Sequence, residues 1–316
     1  MAGAGEVALV AVLAPRRRAA ALVGEAWDAG EAVTVLDPSA PAAATQQALA
    51  MLRPTHLVDA DGRRRLDDGE PVAEGTAAVV VTSGTTGAPK GVELTVAGAD
   101  ATGRGWAAAM GHEPDDHWFL CLPLHHVAGL AILARPRVTG AAVTVDDTFT
   151  IEAVAAAPGT IGATLVSVVP TMLGRLLDAG VPMHEYRGVI TGGAPMPPAL
   201  RARADAAGVR VLDAYGQSET WGGCVANGVP IPGAAARLGP GAEIELSGAM
   251  VMRRYRRDPA GTARAFAADG WLRTGDVGRF DDDGRLVVID RLRDLVITGG
   301  VNVSPVEVEQ VLAEHP

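Results

Sequence analysis

The chain is short of cysteine, of lysine, of positive charge and of long apolar runs. Two cysteines in 316 residues, Cys121 and Cys224, exclude a disulfide framework and a four-thiolate zinc site. A reducing cytosol is the simplest setting for such a chain, so a cytoplasmic protein is expected. No apolar run approaches the roughly 20 residues that span a bilayer. The apolar stretch 6–14 stands before Arg16-Arg17-Arg18, whereas a secretory signal carries its charge first. Residues 7–13 are therefore read as a first buried strand. Positive charge is outweighed: 27 Lys and Arg against 37 Asp and Glu leave a net charge of −10. A general nucleic-acid or anionic-membrane binder needs a basic footprint, so neither partner is expected. An anionic small molecule stays allowed, because it responds to the local field.

Lysine is the most informative shortage. Of the 27 basic residues, 26 are Arg and one is Lys90. Codon bias toward Arg would leave such a survivor by chance. A position that needs a compact ammonium, where a planar guanidinium fits poorly, would also keep its lysine. The neighbours of Lys90 decide between these readings.

What is present is a core former. Apolar residues make up 48%, and the 39 Gly and 21 Pro are spread without a period, which excludes a collagen-like or low-complexity chain. The length suits two domains or one large α/β domain. Short β-branched runs fall at 7–13, 32–36, 55–58, 77–82, 117–122, 141–145, 163–168, 187–191 and 209–213. Helical stretches lie between them, among them 18–28, 41–52, 94–110, 170–179 and 197–207. This alternation predicts an α/β fold, a parallel or mixed sheet covered by helices. Several strands are apolar on both faces, as such sheets require. From about 222 helices are expected to give way to a β-rich unit, with strands at 243–247 and 285–290. Residues 304–314 open like a helix, with Ser304 as cap, Pro305 in the first turn and Glu307 completing a capping box. That helix has nothing after it to pack on, so the sequence reads as a fragment.

Residues 79–91, VVVTSGTTGAPKG, carry the strongest motif. A buried strand enters a loop holding Thr82, Ser83, Gly84, Thr85, Thr86 and Gly87, followed by Lys90 and then an expected helix. Glycines let backbone N–H groups approach an anion, hydroxyls donate to phosphate oxygens, and Lys90 adds a point charge. The content is that of a polyphosphate cradle. It is not a Walker A loop, since Gly91 rather than Ser or Thr follows the lysine. A plain Ser/Thr/Gly surface loop would lack the chain's single lysine.

The string TSGTTGAPKG resembles the phosphate-binding signature of the adenylate-forming superfamily, which includes acyl-CoA synthetases, peptide-synthetase adenylation domains and beetle luciferases. The resemblance runs from about residue 75 to 316. It implies the superfamily's large N-terminal domain over 1–290, with helix-covered mixed sheets and a small β-rich subdomain at about 222–290. It also implies a hinge and the start of a truncated small C-terminal domain over 291–316. AYGQSET at 214–220 resembles the aromatic-Gly-x-Thr-Glu motif, with Ser218 where Thr is usual. By that match Glu219 holds Mg²⁺ and Tyr215 flanks the adenine, with Gly216 between them. A carboxylate at the C-terminal end of a strand also suits a metal site on general grounds. Gly192, Gly193 and Ala194 match the stretch lining the adenine and acyl pocket. His126, after the aromatic-like His125, matches the histidine that orients the reacting carboxylate; two adjacent histidines in an apolar setting are also ordinary structural residues. Asp276, in TGD, matches the ribose-binding aspartate, and Arg291 matches the arginine that reaches the ribose. Arg293 falls at the hinge, where the superfamily more often carries Asp or Lys. Gly299 and Gly300 match the loop approaching the pantetheine channel.

The implied chemistry has two halves. A carboxylate attacks the α-phosphorus of ATP to give acyl-AMP and pyrophosphate, and the thiol of CoA then displaces AMP. ATP, Mg²⁺, CoA and a small carboxylic acid are the implied cofactors and partners; a homodimer is left open. The superfamily's adenylation lysine sits in its small domain, and this chain has no lysine after Lys90. By the family pattern it falls beyond Pro316, so impaired adenylation is expected of these residues alone. The short region before the phosphate loop, with PLHHVAGL, VVPTML, GGAPMP and YGQSETWGGCV, is similar to the o-succinylbenzoate–CoA ligase group of menaquinone biosynthesis. Another short acyl- or aryl-CoA ligase, or a lid-less nucleotide- or acyl-adenylate-binding module, is the alternative.

Overall fold

Hydrophobic strands that are apolar on both faces need cover on both sides, and the chain supplies it with two large mixed sheets and helices around them. The computed structural model describes residues 5–82, 89–294, 296–298 and 301–303. The first sheet has seven strands in the order Arg254–Tyr255, Lys90–Thr95, Thr76–Thr82, Ala32–Val35, Leu9–Val12, His56–Asp59, Gly62–Arg65. Its middle is parallel and its margins are antiparallel. The second sheet also has seven: Ala142–Val145, His117–Leu120, Leu165–Val168, Gly188–Gly192, Val211–Gln217, Gly222–Ala226, Val229–Pro230. It is parallel up to Val211–Gln217 and antiparallel beyond. A third, antiparallel sheet of four strands, Ala234–Leu238, Glu243–Gly248, Leu272–Phe280 and Leu286–Arg291, completes the frame.

One apolar cluster runs through all three sheets, from Val10 and Val33 through Trp106, Leu130 and Leu212 to Ile244 and Leu272. The helix Val96–Met110 lies inside it. Its glycines mark close approaches: a Cβ on Gly98 would stand 2.8 Å from Trp221 Cδ1, and one on Gly105 2.8 Å from Ile231 Cδ1. Two indoles fix this helix. Trp106 Nε1 donates to the Gly223 carbonyl at 2.7 Å, and Trp221 Nε1 donates to the Thr95 carbonyl at 3.0 Å. No helix among the described residues is long and apolar enough to cross a membrane.

Three sequence expectations are corrected. The segment after Lys90 is not helical. Residues Lys90–Thr95 form a strand antiparallel to Thr76–Thr82, with Thr82 opposite Lys90. Thr95 Oγ1 accepts the Gly98 N–H at 2.9 Å, so the helix starts one residue later, at Val96. The β-rich unit does not begin at 222, because Gly222–Ala226 and Val229–Pro230 pair into the second large sheet, and the separate sheet begins at Ala234. Nor do helices vanish after 222. Pro259–Ala265 is helical, capped by Asp258, whose Oδ1 accepts the Gly261 N–H at 2.7 Å. The expected helix 304–314 lies outside the described residues.

Candidate functional site

Three structural edges meet where the sequence motifs converge. The first sheet contributes the hairpin ending in Thr82 and Lys90, and its neighbour Arg254–Tyr255 pairs with Val92 and Glu93. The second sheet contributes the C-terminal ends of Gly188–Gly192 and Val211–Gln217, followed by a short 3₁₀ turn at Ser218–Thr220. The third sheet contributes Asp276 and Arg291, which are paired across adjacent strands.

Tyr255 joins the first edge to the second. Its ring lies under the Lys90 ammonium, with Nζ 4.5 Å from the centroid. Its hydroxyl donates to Glu219 Oε1 at 2.7 Å. Burial, and the Glu219 carboxylate beside it, push the Tyr255 phenol up, so it stays a donor. Glu219 is buried, and its backbone carbonyl also accepts the Met252 N–H at 2.6 Å. Tyr255 is itself flanked by an ionic frame around Glu93 on the neighbouring strand. Glu93 is fully buried and receives Arg254 Nε at 2.8 Å and Arg256 Nη1 at 3.4 Å. A cavity of about 440 Å³ opens beside Lys90, lined also by Met51, Arg257, Asp258 and Arg264. Its cations outnumber its single carboxylate, so its field favours anions.

The third edge closes on the second through Tyr215. Its hydroxyl donates to Asp276 Oδ2 at 2.9 Å, and Gln217 Nε2 reaches the Thr274 carbonyl at 3.5 Å. Arg291 Nε is 3.7 Å from Asp276 Oδ1. Burial pushes the Asp276 carboxyl above the usual range, against the pull of the Tyr215 hydroxyl and Arg291. Burial and the Asp276 charge push the Tyr215 phenol up as well. Gly216 cannot carry a side chain here, since a Cβ would fall 2.1 Å from the Gly222 carbonyl oxygen. Gly192 is less tightly confined, with a Cβ 2.8 Å from the Ala214 oxygen, while Gly193 and Ala194 are exposed beyond it.

His126 stands apart from these contacts. It is exposed at the N-terminus of the helix Val127–Ala134, its ring 4.4 Å from that of His125. Val127 of that helix packs near Gly222, so His126 lies beside the 213–226 hairpin without a hydrogen bond to Glu219 or Lys90. Arg293 is exposed next to Asp294. Ser218 is half-buried in the 3₁₀ turn. Ser83, Gly84, Thr85, Thr86, Gly87, Gly299 and Gly300 lie outside the described residues. Sequence reasoning overlooked Tyr255. The chain has three tyrosines, and Tyr215 and Tyr255 both face this region, so the rarity that singled out Lys90 was a usable signal here too.

Among the described residues no group of three His, Cys, Asp or Glu side chains could hold a metal ion. A lone buried carboxylate, joined to a lysine through Tyr255, still fits Mg²⁺, which takes one or two carboxylates and completes its shell with phosphate oxygens and water.

Open mixed α/β sheets with Lys90 on a hairpin strand, and with a buried Glu in the turn that follows a strand, fit a nucleotide-handling domain. Residues 59–252 match the AMP-binding enzyme family, and the chain belongs to it. It is 36% identical over 265 residues to the 2-succinylbenzoate–CoA ligase of Bacillus pumilus, covering 76% of this chain and 54% of the relative. It is also 36% identical over 262 residues to a probable 2-succinylbenzoate–CoA ligase of Mycobacterium tuberculosis, covering 78% and 66%. The chain thus spans about half the length of the first of these relatives. The o-succinylbenzoate coenzyme A synthetase of Bacillus subtilis, solved with ATP and magnesium ion, superposes with a TM-score of 0.86 at 27% identity, over 98% of this chain and 74% of that one. Its complex with the acyl-adenylate intermediate gives 0.85 at 27% identity, over 98% and 73%. The expected adenylate-forming α/β fold is therefore observed.

Proposed function

We propose that this chain is the large domain of an acid–thiol ligase that activates o-succinylbenzoate with ATP and transfers the acyl group to CoA. The observation that carries the reading is the contact chain Lys90–Tyr255–Glu219, set beside the Tyr215–Asp276–Arg291 group. The relatives named as 2-succinylbenzoate–CoA ligases support the choice of acid.

Attack of a carboxylate on a polyphosphate sets anion against anion, so charge neutralisation and positioning supply most of the catalysis. Lys90 meets phosphate oxygens as a point charge, together with the loop that begins at Thr82. Glu219 holds Mg²⁺, and Tyr255 keeps its carboxylate aimed. Magnesium, when bound, neutralises phosphate charge. Tyr215 flanks the adenine, against the backbone of Gly192, Gly193 and Ala194, while Gly216 and Ser218 carry the chain past it. Asp276 accepts the ribose hydroxyls, and Arg291, beside Asp276, reaches the ribose. His126 shields or orients the reacting carboxylate, and Arg293 marks the hinge. The chemistry needs no protein nucleophile. The reading places the chain in the cytoplasm, with small molecules as its partners.

Calorimetric titration with two acyl-sulfamoyl adenosines tests this, one carrying o-succinylbenzoyl and one a fatty acyl group. Tighter binding of the o-succinylbenzoyl compound is expected. Preference for the fatty acyl compound would discard the substrate and keep the class. Binding of neither compound nor AMP would overturn the nucleotide site itself.

A further inference from the structure

Arg135 carries a charge that no ion pair answers among the described residues. It follows the helix Val127–Ala134, is 6% exposed, and lies in the core of the second sheet's helical layer. Its guanidinium sits against two indoles, 4.6 Å from the Trp118 ring centroid and 5.3 Å from that of Trp106. Nε and Nη1 are buried and have no hydrogen-bond partner among the described residues. Aromatic faces offset part of a buried cation's cost but accept no N–H in its plane. Burial pulls the pKa of Arg135 down to about 9, which still leaves it protonated at neutral pH.

The carboxylate that lines the same cavity as Arg135 is already engaged. Asp116 shares a small cavity with Arg135, yet its oxygens accept from Arg187 Nε at 2.9 Å, Thr164 Oγ1 at 3.0 Å and the Glu113 N–H at 2.9 Å, with His112 Nδ1 at 3.1 Å. Arg187 therefore balances Asp116, and Arg135 is left over. The cavity that Arg135 and Asp116 line has a volume of about 10 Å³; His112 and Thr139 are its other polar residues, and the rest of its lining, Met110, Leu165 and the two indoles among it, is apolar. That is room for a single small occupant. Buried charges in proteins are paired, and an unpaired one is among the costliest groups to bury. Water would satisfy the two N–H groups but leave the charge.

We propose that this cavity is a binding site for one small monovalent anion of the halide class, with chloride the natural occupant, held by Arg135 Nε and Nη1. The bound anion neutralises the core and ties down the C-terminal end of the helix whose N-terminus carries His126. The inference is independent of which acid the chain activates.

Two measurements test it on the intact chain. The first is thermal unfolding across a chloride series, with gluconate, too large for the cavity, holding ionic strength constant. Once the site is filled, Tm is expected to rise by about 2–4 °C for each tenfold increase in chloride. Arg135→Met should remove that dependence. The second needs no variant. Crystals grown in bromide should show an anomalous peak beside Arg135 Nε and Nη1. A chloride-independent Tm, or a cavity holding water with no bromide signal, would overturn the proposal.

Discussion

Replacing Tyr255 by Phe isolates one atom of the candidate site. The change deletes the hydroxyl that donates to Glu219 Oε1 at 2.7 Å and keeps the ring under Lys90 Nζ at 4.5 Å. Among the described residues no other hydrogen bond reaches the Glu219 side chain, so the buried carboxylate loses its protein donor. A hydrogen bond to a charged group contributes about 1.5–3 kcal/mol, and loss of a group that orients a metal ligand weakens metal binding about 10–100-fold. Since about 1.4 kcal/mol is tenfold in affinity, Tyr255→Phe should weaken Mg-ATP binding at least about tenfold. AMP without magnesium should bind within about twofold of the parent, because the proposed function assigns its contacts to Tyr215 and Asp276; a twofold change is under about 0.5 kcal/mol. Tyr255→Ala also removes the cation–π contact and should weaken Mg-ATP further by about 0.5–1 kcal/mol. Calorimetry with both nucleotides decides the matter. Unchanged Mg-ATP binding, or an equal loss for AMP, would refute Tyr255 as the strut between Lys90 and Glu219.

Asp276→Asn should separate stability from binding. Burial raises the Asp276 carboxyl, so its protonated form favours the fold, and that stability is lost as pH rises through the raised value. At neutral pH the Asn variant should therefore melt higher than the parent while binding AMP more weakly, and a lower Tm would contradict this. In the parent, AMP affinity should fall on acidification at a pH above that expected for an ordinary aspartate, as calorimetry across a pH series would register. Asp116→Asn breaks the pair with Arg187 and should cost about 3 kcal/mol in denaturant unfolding; a change under about 1 kcal/mol would mean that the pair is weak. Gly216→Ala forces a Cβ to within 2.1 Å of the Gly222 oxygen, so the turn beneath Glu219 should distort, with Tm and Mg-ATP affinity falling together.

Much of the fold was legible because it rests on local patterns. Apolar runs bounded by glycine and proline located the strands at 32–35, 165–168 and 188–192 to within a residue or two. Helices at 42–52, 170–178 and 198–206 followed in the same way. The strand after Lys90 was misread because GVELT suits either state, and pairing with Thr76–Thr82 across the hairpin decides it. The segment 222–230 was assigned to the wrong layer for a related reason. Its residues are plainly extended, but which sheet accepts them depends on Val211–Gln217 lying free alongside.

The sequence by itself determined the alternation of strands and helices, the glycine-rich loop with the chain's single lysine, and the motifs that carry Glu219 and Asp276. These are short-range features, set by backbone propensity and by the order of residue types. Only the tertiary structure decided which of them meet. Lys90, Glu219 and Tyr255 are separated by 129 and 36 positions in the chain, yet one tyrosine side chain touches both other groups. Arg135 looks like any other arginine in sequence, and only the packing of Trp106 and Trp118 around it leaves a cation buried without a counter-charge among the described residues. Contacts of this kind depend on how helices and sheets close over one another, and no local pattern encodes that.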